Sequence, residues 1–139
     1  MVVEPAAAAM AARRRTAKQV KLMEAALEVM ETRTLASEEG QAADRQFHTV
    51  ILEATRNEAF TSLASSIGAA ARWATIFKQR ERALPRDPIP DHRRLLDAIR
   101  AEDPDAARAA AVTLLILAQE DTALAMAPET PADSSHRNP

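Results

Sequence analysis

Three residues in this chain have the types and spacing to do chemistry together: Asp44, His48 and His92. Asp44 and His48 stand four apart, a spacing that brings two side chains to one point on a helix surface. On a helical wheel both fall inside the arc set by Phe47, Ile51 and Leu52, while Arg45, Thr49 and Glu53 take the opposite face. His92 precedes Leu95, Leu96 and Ile99 by three, four and seven residues, so it too points inward on a helix that begins at Asp91. A buried carboxylate is costly unless it is paired or bound to metal. Two inward histidines and an inward aspartate form a donor set for a divalent ion, because imidazole and carboxylate suit Zn, Ni, Fe or Mn. The same pattern also fits a plain hydrogen-bonded Asp–His pair, with His92 bonded to backbone at a helix start. Spacing alone favours this second reading.

Other chemistries find less support. The sequence holds no Gly-rich phosphate loop, no G-x-S-x-G elbow and no His-Glu-x-x-His motif. No nucleophile with a positioned base is evident, so an enzyme is not indicated. The absence of cysteine removes disulfides, thiolate metal sites and thiol nucleophiles. Arg13, Arg14 and Arg15 suit the end of a helix, where cations oppose the dipole, better than a phosphate patch. Met10, Met23 and Met30 read as core fillers. Eighteen basic and twenty acidic residues leave a formal charge of −2, which argues against a dedicated nucleic-acid module. No apolar run approaches a membrane span, and the N-terminal basic residues follow the alanines where a signal peptide would have them first. The expected location is the cytoplasm.

The elements that must position these residues are helices. At 139 residues the chain is long enough for one domain with a real core. Alanine, the strongest helix former, fills roughly a quarter of it, while glycine occurs twice and tyrosine never. Prolines are absent between Ala6 and Leu84 and cluster at Pro85, Pro88 and Pro90. A first helix is expected from about Pro5 to Arg14. Thr16 and Gln19 form a capping box that opens a second, with Val20, Met23, Leu27 and Met30 on one stripe. A polar break over Leu35 to Gly40 leads to a third, about Gln41 to Arg56. Asn57 opens a longer helix whose apolar face runs from Phe60 to Phe77, more than one small bundle needs, so a C2 homodimer is expected. Asp91 is read as the N-cap of a short helix after the prolines. Asp103-Pro104 starts the last helix, which runs to about Met126 and buries Ala107, Ala110, Leu114, Leu117 and Ala118. Residues 1–127 make the bundle and 128–139 a disordered tail.

The segment Asp44-Arg45-Gln46-Phe47-His48, followed by Ala54-Thr55-Arg56-Asn57, resembles the D-x-x-F-H…A-x-x-N signature of the FCD domain, the effector-sensing domain of FadR-branch GntR transcription regulators. His92 to Ile99 and Asp103 to Arg108 resemble that family's H-x-x-[IL]-x-x-A-I and D-x-x-x-A-R patterns, in order and in register. Val3-Glu4-Pro5 through Arg13 resembles its first helix. The resemblance implies an all-α antiparallel bundle that dimerises and senses a small carboxylate or sugar acid, in many members through a divalent metal. It maps the metal ligands onto Asp44, His48 and His92. A fourth ligand, a histidine in the last helix, is replaced by Leu114, which should weaken metal binding. Asn57 and Arg72 are its effector-contact candidates, the arginine because it suits a carboxylate. Family members carry a winged helix-turn-helix before this domain, and no counterpart is present here. DNA would be reached only through that missing part. Two readings from other classes stand beside this one: a small metal-dependent hydrolase or lyase using the same three residues, and a structural bundle whose polar interior only fixes packing.

Overall fold

The computed structural model describes residues 3–62 and 87–126, and every regular element among them is an α-helix. In chain order these are α1 (Val3–Arg14), α2 (Ala17–Arg33), α3 (Glu38–Ala54), α4 (Glu58–Ser62), α5 (Ile89–Arg100) and α6 (Pro104–Met126). The all-helical expectation therefore holds. None of these helices is long and apolar enough to cross a membrane. The rest of the long helix expected after Asn57, with Arg72, and the C-terminal tail lie outside the described residues.

Local signals explain most of the boundaries. Thr16 Oγ1 accepts the Gln19 backbone N–H and Gln19 Oε1 accepts that of Thr16, the capping box that starts α2. Asp103 Oδ1 accepts the Ala106 N–H with Pro104 as the first residue of α6, where its missing N–H costs nothing. Two starts differ from expectation. α3 begins at Glu38, capped by Ser37, so Gly40 lies inside its first turn and not in the break. A β-carbon on Gly40 would come within 1.8 Å of the Thr34 carbonyl oxygen, so glycine is there for the close approach of the α2–α3 turn. α5 begins at Ile89 with Pro88 as its N-cap; Asp91 sits in the first turn, paired with Arg94 at 3.6 Å. Pro90 is tolerated because first-turn N–H groups have no intrahelical partner.

α2 packs along α3 and α1 along α6, while α5 lies against α6 and α2; α1 also touches α3 and α5. Ala7, Ala8, Ala11 and Ala12 of α1 are fully buried, their small side chains allowing the neighbouring helices to come close. The core joins Met23, Leu27 and Met30 of α2 to Phe47, Val50, Ile51 and Leu52 of α3 and Leu95, Leu96 and Ile99 of α5. Each such side chain stabilises the fold by about 1.5–3 kcal/mol when fully buried. Met10 is only half-buried, unlike Met23 and Met30.

Candidate metal centre

α3 turns Asp44 and His48 toward the core beside Phe47 and Ile51, both fully buried. α5 brings His92 onto them. Its Nε2 lies 2.9 Å from Asp44 Oδ1 and 3.3 Å from His48 Nε2, and His48 Nε2 lies 3.2 Å from the same Asp44 oxygen. The three side chains are 13%, 15% and 5% exposed for Asp44, His48 and His92 respectively, so they meet at the edge of the core and not on the surface. The rings of His48 and His92 stand edge-on to each other, centroids 5.3 Å apart, and Phe47 packs edge-on against both.

The remaining ring nitrogens are also engaged. His92 Nδ1 lies 2.8 Å from the Pro88 carbonyl, which also accepts the His92 backbone N–H. A carbonyl can only accept, so this Nδ1 carries the hydrogen and Nε2 of the neutral ring holds a lone pair. The turn at Pro88 thereby orients the ligand candidate four residues on. His48 Nδ1 bonds the Glu4 carboxylate, which reaches in from the first turn of α1. An ionised carboxylate likewise only accepts, so the neutral His48 ring also keeps its Nε2 lone pair for the interior.

Three electron-pair donors therefore face one another at 2.9–3.3 Å, and a cation belongs between them. A proton can serve. Burial pushes the His48 pKa down, but the charge of Glu4 and the hydrogen bond to Asp44 outweigh it and hold the imidazole well above its usual 6.5. Burial pushes Asp44 up, but the hydrogen bond from protonated His48 and the positive charge beside it win and keep its carboxyl well below the ordinary range. Glu4 follows the same logic: its burial is outweighed by the charge of His48, and its pKa falls below 4.5. A divalent ion fits as well. Donors bound at about 2.1 Å lie about 3.0 Å apart in an octahedron and about 3.4 Å apart in a tetrahedron, and the observed edges of 2.9, 3.2 and 3.3 Å lie within about 0.1 Å of that interval. Its two positive charges would balance Glu4 and Asp44 with both histidines neutral.

The other residues to which the sequence points fare differently. Asn57 Oδ1 accepts the Ala59 N–H at the start of α4, which is the geometry of a helix cap. Leu114 is buried in the core on α6. Arg72 lies outside the described residues. Glu4 belongs to no motif that marks a site, although Glu4, Ala7, Ala8 and Ala11 follow one helical stripe that shows it to be inward. Arg14 and Arg15 close helix ends: Arg14 donates to the Thr55 carbonyl at 3.1 Å, and Arg15 donates to the Ile99 and Arg100 carbonyls at 3.4 and 2.6 Å.

Comparison with known proteins decides the family. The model of the FCD domain matches residues 1–116. The chain belongs to the FCD domain family. This FCD domain is 32% identical over 118 residues to the galactonate operon transcriptional repressor of Escherichia coli strain K12, covering 82% of this chain and 50% of that protein. It thus spans about half the length of that curated relative. In fold it is similar to a solved structure of Streptococcus agalactiae GntR, with a TM-score of 0.69 and 24% identity, covering 84% of this chain and 53% of that one.

Proposed function

We propose that this FCD domain is the effector-binding and dimerising part of a GntR/FadR-type transcription regulator, and that it senses a small carboxylate or sugar acid through a divalent metal held by Asp44, His48 and His92. The observation that carries the metal is the convergence of three lone-pair donors within 3.3 Å, each histidine held by an acceptor on its other nitrogen. A divalent ion in this place supplies positive charge for an effector carboxylate. Three protein ligands leave coordination positions open for it, as sites that bind exchangeable ligands require. The relative's operon is named for galactonate, a sugar acid, which supports the effector class. DNA reading belongs to another domain of such regulators; a chain of net charge −2 offers phosphates little. Regulators of this kind work in the cytoplasm.

Calorimetric titration with Zn²⁺ or Ni²⁺ tests the metal. The wild type should bind one ion, and His48→Ala should lose at least about a hundredfold in affinity, since it removes a ligand outright where loss of a mere supporting partner costs 10–100-fold. Leu114→His restores the family's fourth ligand position and should tighten binding about tenfold or more. Equal affinity in all three proteins would overturn both the site and the register that places Leu114 in it. With the metal loaded, sugar acids should raise the melting temperature of the wild type and leave His48→Ala unchanged.

A further inference from the structure

We infer that Glu4 is a positioning residue of the metal centre: it holds the His48 ring so that Nε2, and not Nδ1, is the ligand atom, and it ties the first turn of α1 to that choice. The inference rests on the reading of the Asp44, His48 and His92 cluster as a metal site. The geometry behind it brings in a residue from outside those three, on another helix. Glu4 sits on α1, 44 residues from the histidine it meets, and its side chain is 12% exposed. A carboxylate buried to this degree needs a partner. The stripe it shares with Ala7, Ala8 and Ala11 offers none, since those side chains carry no polar atoms. Its hydrogen bond among the described residues goes to His48 Nδ1.

An imidazole can coordinate through either nitrogen, and the one it uses is set by what the other nitrogen bonds. His92 is held by a backbone carbonyl, which no side-chain substitution removes. His48 is held by a side chain on a different helix, so its orientation depends on α1 staying in place. Occupancy of the centre and the docking of α1's first turn are thus linked in both directions. Any ligand that tightens the site through His48 also tightens this end of α1.

The full chain, loaded with zinc, tests this through long-range proton–nitrogen spectra of the histidine rings and through zinc affinity. In the wild type His48 should show a protonated Nδ1 and a zinc-bound Nε2. Glu4→Ala should lower zinc affinity about 10–100-fold and lose that ring signature, the range found when a carboxylate supporting a ligating histidine is removed. Glu4→Gln keeps an oxygen acceptor for the Nδ1 hydrogen, so it should retain the signature and recover most of the affinity. A role confined to folding predicts something else: a lower melting temperature, with ring signature and affinity unchanged in the folded fraction. That outcome would overturn the inference. So would a wild-type spectrum with zinc on His48 Nδ1, which needs no variant to fold. A wild type that binds no zinc would overturn the metal reading itself, a different failure from that of Glu4 alone.

Discussion

Asp44 Oδ1 faces two imidazole nitrogens, and whatever sits between them sets the charge of the cluster. In the metal-free protein that is a proton on His48. Its pKa is raised in the folded state, so the stability it contributes is complete below about pH 6.5 and drains away as pH rises through the folded value. Asp44 and Glu4 are lowered instead: their contributions are present above ordinary carboxylate values and are lost as pH falls. The metal-free domain should therefore be most stable between about pH 4.5 and about pH 6.5 and weaken toward pH 8. A metal bound at Nε2 would reverse the upper limb, because it would displace the His48 proton. Affinity should rise up to about tenfold per pH unit while that proton must be released. Melting curves with and without Zn²⁺ at about pH 6 and about pH 8 check both limbs. A metal-induced shift of equal size at both pH values would count against proton displacement at His48.

At the scale of elements, the turn between α2 and α3 carries a constraint that periodicity cannot show. Gly40 lies under the Thr34 carbonyl, which also accepts the Ser37 N–H and hydroxyl, at 3.3 and 2.9 Å. Gly40→Ala would place a methyl group into backbone, which cannot rotate aside as a side chain end can. We expect it to cost about 2–3 kcal/mol in urea unfolding, although alanine is intrinsically the better helix former. A stabilised variant would show that the turn relaxes freely. The same turn shows where sequence pattern misleads. Glycine reads as a breaker, so the expected break extends through Gly40, whereas Ser37 followed by Glu38 and Glu39 is the actual start signal. The α5 start is displaced for a related reason, since prolines that forbid a helix interior can still begin a helix. The capping box at Thr16 and the Asp103-Pro104 start are legible because each depends on residues within three positions. Asp44, His48 and His92 are legible as inward residues by their phase against apolar neighbours. Glu4 shares that phase, but its partner stands 44 residues away, and no local pattern connects them.

For the whole molecule, the cluster is a tertiary joint. Glu4 comes from α1, Asp44 and His48 from α3, and His92 from α5, so the cluster ties together three helices that meet around the core. The helices themselves are held by caps and by an apolar core of 23 buried side chains among the described residues, to which the polar cluster contributes none and which it meets at Phe47. A metal should accordingly stabilise the packing of α3 on α5 and leave the helix content as it is. One ion that binds only the folded state adds about 2.7 kcal/mol at a free concentration of 100 times its dissociation constant. Urea unfolding with and without Zn²⁺ at that ratio should show a gain of this size in the wild type, with the far-ultraviolet circular dichroism of the folded protein unchanged. At the same Zn²⁺ concentration His92→Ala, which leaves only Asp44 and His48 as ligands, should show almost none, because losing a ligand raises the dissociation constant toward that concentration. A gain of equal size in His92→Ala would mean that the ion binds elsewhere. A gain accompanied by new helical signal would mean that metal folds part of the domain and does not merely fasten helices already formed.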